Sequence, residues 1–411
     1  MPFPILVESY LIVLLTLNWV LMWNFKTKWR NLQLNPFAVI YILFFFIHLA
    51  SVFYSSNQGE AWMILEKKLS FLILPLVIGT TGLEDEGVIK KIITWFVGGC
   101  ITAGVICLGH AFYQLYLTGQ YDQFFYHSFS RVIDLHSVYF SAYVLFAIGV
   151  FLFDARNIFL PEFCYRPLWR SLILCFLLVL MLLLSSKLML GLLVLMLSLY
   201  TVMRVVKNRR LNLAYASMSQ LTIVLVFMAA VIGMFVFPNP VKGRFQEIAS
   251  NDYSVMNRER LSEKDYQFNG LTIRLAFLRF GKEILDQEGH WLSGTGIGDT
   301  QDALNQKFLE HHLYMGDPSI NDPGYWNYNF HNQYLQTLVQ LGLGGLIILL
   351  VVVLVPFFIK TFTYKSLFLL FNSIFGCFML TESALEAQHG IVYFVFFSVL
   401  FMTLGIKSKA I

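Results

Sequence analysis

Long apolar runs recur from one end of this 411-residue chain to the other, and they leave few folds open to it. They fall at 4–23, 37–55, 69–83, 92–117, 136–153, 170–185, 188–206, 217–237, 334–359, 363–381 and 390–406. A helix needs about 20 apolar residues to cross the hydrocarbon of a bilayer, and in lipid every backbone polar group must be satisfied within the segment that carries it. The pattern predicts an all-α integral membrane protein of about eleven transmembrane helices. Composition agrees, since only 13% of residues are charged and 57% are hydrophobic, whereas soluble domains carry about 25% charged residues. The runs continue far past the N-terminus, which excludes a lone signal segment as their source. Those at 69–83 and 170–185 are short, and they are expected to tilt, break or merge with a neighbour.

Lysine and arginine set the orientation, because short cytoplasmic connections retain positive charge. One face collects Lys26, Lys28, Arg30, Lys90, Lys91, Arg156, Arg166, Arg170, Arg204, Lys207, Arg209, Arg210, Lys360, Lys365, Lys407 and Lys409. The short connections of the other face hold only Lys67, Lys68, Arg131 and Lys187. Sixteen against four places the first face and the C-terminus in the cytoplasm. The polar segment 238–333 is then extracytoplasmic, a mostly helical loop domain between an N-terminal bundle of about eight helices (1–237) and the C-terminal helices (334–411). No disulfide framework is expected, since none of the five cysteines (Cys100, Cys107, Cys164, Cys175 and Cys377) falls in that segment. No Cys/His spacing suggests zinc, and the net charge of +4 follows from topology and does not point to nucleic acid.

Within the polar segment, Ile273, Ala276, Phe277, Phe280 and Ile284 recur at helical spacing. They predict an amphipathic helix lying at the membrane surface. Gly294-Thr295-Gly296-Ile297-Gly298 follows, with Asp299 and Asp302 placed to cap a helix through about His311. A glycine turn feeding a helix can cradle phosphate, but no strand precedes it, and a plain structural turn is the favoured reading. His331 stands where the chain re-enters lipid. A boundary ionisable group reads equally as functional or as an imidazole solvated by headgroups. Lys187, in the Ser185-Ser186-Lys187 turn, snorkels or binds an anion. By topology Lys187, Arg274 and His331 share one face, so two cations and a titratable imidazole are available to receive a diphosphate and a nucleophile. Glu382 and Glu386 close the tenth span on that face. They read first as helix-end charges and second as a carboxylate for the site.

Arg274 with its aromatic helix, Leu292-Ser293-Gly294-Thr295-Gly296-Ile297-Gly298-Asp299, and His331-Asn332-Gln333-Tyr334-Leu335 leading to Leu341-Gly342-Leu343-Gly344-Gly345-Leu346 follow one another in a recognisable order. In this order and spacing the chain resembles the O-antigen ligase and O-antigen polymerase superfamily of bacterial inner-membrane enzymes. Leu65-Glu66-Lys67-Lys68-Leu69 and His136-Ser137-Val138-Tyr139-Phe140 fit more loosely. The resemblance implies a metal-independent, inverting glycosyltransferase without cofactors, facing the periplasm in a fold that often has twelve spans. It implies an undecaprenyl-diphosphate-linked glycan as donor and lipid A-core or another glycan as acceptor, among membrane lipids. It maps the essential histidine onto His331 and one essential arginine onto Arg274, with Asn332, Tyr334, His136 and Glu382 in support. Where the family has a second arginine this sequence offers Lys187, a point charge that cannot grip phosphate in a planar fork, or alternatively Arg244.

On this reading Arg274 and Lys187 neutralise the departing diphosphate while His331 accepts the proton of the attacking hydroxyl. A ligase is favoured over a polymerase, because one large loop dominates the outer face. A polysaccharide or lipid transporter is the alternative of another class. Against it, most spans are uncharged inside and no paired, interrupted halves are found.

Overall fold

The computed structural model describes residues 5–81, 86–154, 159–211, 222–229, 253–262, 268–287, 289–317, 324–359 and 364–407, with a few single positions besides, and the account below is confined to them. The described elements are helical apart from one isolated bridge, Asp317 with Asp322. In chain order the helices are α1 (Ile5–Leu21), α2 (Phe25–Gln33), α3 (Pro36–Val52), α4 (Gln58–Lys68), α5 (Ser70–Thr80), α6 (Glu86–Thr118), α7 (Tyr126–Ser130), α8 (Ser137–Phe153), α9 (Pro167–Leu184) and α10 (Lys187–Leu211). There follow α11 (222–229), α12 (Thr272–Leu285), α13 (His290–Ser293), α14 (Thr300–Glu310), α15 (Gln333–Phe358), α16 (Lys365–Phe378) and α17 (Gln388–Lys407).

Each apolar run read from the sequence lies on a helix where it is described, but fewer helices than runs are long enough to cross a bilayer. Among the described residues five qualify, in α6, α9, α10, α15 and α17. The number rises to seven if two bent pairs each count as one span. One such pair is α1 with α2, bent by 112°. The other joins Tyr126–Ile133 to α8 at 82°. α3 and α16 are shorter apolar helices. The run at 69–83 contracts to the eleven residues of α5, with Pro75 inside it. The stretch ahead of it, read as a connection, is helix α4, which Asn57 caps by accepting from the Glu60 N–H. Its buried stripe is Ala61, Leu65 and Lys68, at the i, i+4, i+7 spacing of one helix face.

The chain divides into two compact units, each assembled from non-contiguous segments. One comprises Met1–Leu14, Leu83–Phe245 and Thr363–Ile374. Its centre is α8, buried almost throughout from Ser137 to Leu152 and packed by α6, α9 and α10. The other comprises Leu15–Gly82, Gln246–Phe362 and Phe375–Ile411. There α5 packs between α3 and α17. Polar side chains join its helices at Tyr41 Oη with Ser398 Oγ (2.6 Å) and Asn35 Nδ2 donating to Thr403 Oγ1 (2.9 Å). Such contacts help hold together helices that gain no hydrophobic free energy by leaving lipid.

The second unit corrects three expectations. The amphipathic helix does not turn its apolar face to a membrane surface. The apolar face of α12, Ile273, Ala276, Phe277, Phe280 and Ile284, is closed by protein, packed with Leu304 and Phe308 of α14, Leu313, Phe330 and Val339. The polar insertion thereby has a core of its own. Asp299 caps no turn of its own helix. Its carboxylate reaches across to accept from the backbone N–H groups of Ser56 and Asn57, both at 2.7 Å, and so caps the chain leading into α4. Finally, the run at 334–359 is not one continuous helix. α15 breaks at Gly342, whose φ of 66° and ψ of −166° are open to glycine.

The glycine turn explains the break. The carbonyls of Val339 and Gln340, which lack helical partners there, accept from the N–H groups of Thr295 (2.8 Å) and Gly296 (3.0 Å). A Cβ on Gly342 would stand 2.1 Å from the Leu292 carbonyl oxygen, and one on Gly294 would stand 2.4 Å from the Gln340 carbonyl carbon. Both glycines are needed because two backbones cross there. The turn is structural, as favoured, and these two N–H groups are committed to carbonyls, not to phosphate.

Candidate active site

The break in α15 holds its first half, Gln333 to Leu341, against the polar insertion, and His331 stands two residues ahead of that half. Asn332 is the helix N-cap, its side chain accepting from the Leu335 N–H at 3.0 Å. The chain enters this cap through a His331 with φ of 46°. A left-handed non-glycine residue carries strain of order 1 kcal/mol or more and clusters at functional sites. Here the Asn329 side chain steadies it by accepting from the His331 N–H at 2.9 Å. The imidazole lies flat against Phe277 of α12 (ring centroids 6.1 Å, 12°) and meets Tyr328 edge-on at 5.7 Å. Phe277 is fully buried, so the core of the insertion fixes the plane of the ring.

Glu382 supplies the third component. It follows α16, and its carboxylate bridges two partners: Oε2 is 3.0 Å from His331 Nδ1, and Oε1 accepts from an Arg274 terminal N–H at 2.9 Å. Arg274, on the first turn of α12, also donates from Nε to the Thr381 carbonyl (3.0 Å) and from its other terminal nitrogen to the Gly270 carbonyl. Three of the five guanidinium N–H groups are thus engaged, and two remain for a ligand. The three side chains are 15–27% exposed, within reach of solvent but largely sheltered. The neutral tautomer that satisfies a carboxylate at Nδ1 carries its proton there and leaves the lone pair on Nε2. Among the described residues Nε2 has no hydrogen-bond partner.

Beneath this trio lies a buried ion pair that the sequence did not couple. Lys68, 1% exposed, donates to Glu386 Oε1 at 2.9 Å and to the Leu385 carbonyl at 2.6 Å. Gln333 and Gln340 of α15 donate to the same carboxylate at 3.3 and 3.2 Å. Burial pushes the Glu386 carboxyl up, but the Lys68 ammonium and the hydrogen bonds from Lys68, Gln333 and Gln340 outweigh it. The carboxyl therefore sits below its ordinary value and is an anion. Removing one member of such a pair costs about 3–5 kcal/mol, since the other is left charged and unpaired. The signal available in the sequence was two charges next to apolar runs on one predicted face, 318 residues apart.

Tyr334 donates to the Gly376 carbonyl at 2.9 Å, pinning α15 to α16. His136 caps α8 in the first unit and meets His127 edge-on, ring centroids 3.9 Å apart. Lys187 is the first residue of α10, also in the first unit. Arg244 lies outside the described residues. Asp302 accepts from the Asn57 side chain at 3.1 Å. Among the described residues no cluster of His, Cys, Asp and Glu has the form of a metal site.

Five to seven apolar helical spans among the described residues are those of a multi-pass membrane protein. Residues 172–350 match the sequence model of the O-antigen ligase family, which supports placing the chain in the O-antigen ligase and polymerase superfamily. The matched stretch contains Arg274 and His331 and ends beyond the break in α15, whereas Glu382, Glu386 and Lys68 lie outside it. No curated protein matches the chain. The match supports a function of ligase or polymerase type.

Proposed function

We propose that the protein is an O-antigen ligase-type glycosyltransferase of the inner membrane, acting on the periplasmic face and moving a glycan from an undecaprenyl-diphosphate carrier to an acceptor sugar such as that of lipid A-core. One observation carries the reading: a single carboxylate, Glu382, holds both the Nδ1 of His331 and the guanidinium of Arg274. The histidine supplies a base and the arginine a diphosphate ligand, in one rigid frame.

In the reaction the acceptor hydroxyl attacks the anomeric carbon as its proton passes to His331 Nε2. The bond from that carbon to the diphosphate oxygen breaks, and its electron pair leaves with the lipid diphosphate. Glu382 stabilises the imidazolium as it forms, and Arg274 turns its remaining N–H groups to the growing phosphate charge. Direct displacement inverts the anomeric centre. Lys187 and Arg244 are, on sequence grounds, the candidates for a second phosphate contact. If Lys187 fills that role, Lys187→Arg retains transfer and Lys187→Ala weakens donor binding.

The test is transfer of radiolabelled lipid-linked glycan to a lipid A-core acceptor by the purified protein in proteoliposomes, with His331→Ala and Arg274→Ala beside the native chain. The reading requires transfer by the native protein and its loss in both variants. Near-normal turnover by His331→Ala removes the base assignment. Extension of the lipid-linked glycan without transfer to the acceptor makes the protein a polymerase.

A further inference from the structure

We propose that the buried Lys68–Glu386 pair is a positioning device for the base: it staples the connection carrying Glu382 to α4 and to the first half of α15, and so sets where Glu382 holds His331 and Arg274. The inference rests on the glycosyl-transfer reading of that trio.

A buried ion pair is a poor way to gain stability, since apolar residues of equal volume do as well or better. Its best-attested use is to select one arrangement of segments over others. Here the segments are those that make the site. Glu386 is four residues from Glu382, and Gln333 is two residues from His331. Around the pair the connections run both ways: Lys68 to the Leu385 carbonyl (2.6 Å), the Leu385 N–H to Gln333 Oε1 (2.6 Å), Gln333 Nε2 to Glu386 (3.3 Å), and the Gln333 N–H to the Met379 carbonyl (2.8 Å). On the other side of the His331–Glu382 contact, Gln336 Oε1 accepts from the Phe330 N–H (3.3 Å) and faces Ser383 Oγ at 3.5 Å. The strands of chain bearing His331 and Glu382 are thus cross-bonded on both sides of the bond between them. Lys68 is the only charged group among these connections that comes from a third segment, and among the described residues it has no hydrogen bond or ion pair with Arg274, His331 or Glu382. It acts through Glu386, as a positioning residue.

The full-length protein in proteoliposomes tests this with Lys68→Met and with Lys68→Met/Glu386→Gln. The double variant leaves no charge unpaired, and its new amide accepts from Gln333 and donates to Gln340 Oε1 once the Gln340 amide turns over, so it retains a fold where the single variant loses one. Transfer kinetics are measured on the folded fraction, and amide exchange is followed in peptides covering 379–388. A displacement of about 1 Å in a reacting group costs on the order of a hundredfold in rate. The double variant is expected to lose about ten- to a hundredfold in kcat with the donor KM unchanged, and to exchange faster at 379–388. Native kcat in that variant overturns the proposal, as does a loss in folded yield alone with turnover per folded molecule preserved. A native chain without transfer activity removes the glycosyl-transfer reading by itself. The exchange measurement needs no turnover, and unchanged exchange at 379–388 sinks the staple whatever the activity.

Discussion

Replacing Glu382 by glutamine alters the site with little change in volume, and the geometry fixes what it does. The carboxylate accepts from two donors, His331 Nδ1 at 3.0 Å and the Arg274 guanidinium at 2.9 Å. An amide offers one acceptor and one donor, so it satisfies one of these groups and opposes the other. The lost interaction is a charge-assisted hydrogen bond in a site whose side chains are 15–27% exposed, worth about 1.5–3 kcal/mol. At 1.36 kcal/mol per decade, Glu382→Gln lowers the turnover of glycan transfer by about 10- to 150-fold. The assay is single-turnover transfer in proteoliposomes, with a double-mutant cycle against His331→Ala. Glu382 acts only through His331 and Arg274, so with His331 already removed Glu382→Gln costs less than it does in the native chain. Turnover above a third of native in Glu382→Gln refutes the reasoning. So does a double variant in which the two losses multiply.

Three further outcomes follow from the same frame. Gly342→Ala drives a Cβ to 2.1 Å from the Leu292 oxygen at φ 66° and is expected to destabilise the protein by about 1–3 kcal/mol, read as a lowered thermal midpoint in detergent. Asp299→Ala removes two capping hydrogen bonds to Ser56 and Asn57, and is expected to cost about 0.5–2 kcal/mol with faster amide exchange at the start of α4. Burial raises the Glu283 carboxyl, but hydrogen bonds and charge from His311 and Arg279 bring it below its ordinary value of 4.5. A carboxyl depressed by folding stabilises above the unfolded pKa, and that contribution fades as pH falls through the folded one. Native protein therefore loses stability on acidification below about 4.5, and Glu283→Gln shows a shallower loss when thermal midpoints are compared across that window.

The sequence made the helical membrane class legible because lipid admits so few alternatives. It also singled out His331, by its place where the chain re-enters lipid, and Arg274, by its predicted face and by the family resemblance. Lys/Arg bias put Lys68, Arg274, His331, Glu382 and Glu386 on one predicted face, and they form two groups, Lys68 with Glu386 and Glu382 with Arg274 and His331, whose ion pairs join residues 318 and 108 apart. What stayed hidden was which carboxylate served which cation, since a helix-end charge looks alike whether it faces water or a partner. The break at Gly342 was hidden for a related reason. Glycine inside an apolar run costs only about 1 kcal/mol in a helix, so Leu341 to Leu346 reads as unbroken until the Leu292–Ser293 backbone arrives from another segment. For α12 the periodicity was right and the environment wrong: the stripe through Phe277 fits a lipid surface and a protein core equally well. Only the positions of Leu304 and Phe308 decide between them.

The most direct measurement of the central claim is a structure with a non-transferable polyprenyl-diphosphate glycan analogue bound. The account places phosphate oxygens within hydrogen-bond distance of the Arg274 guanidinium, with Glu382 still on His331 Nδ1 and Nε2 turned toward the anomeric carbon. A diphosphate held away from Arg274, with His331 remote from the sugar, contradicts it.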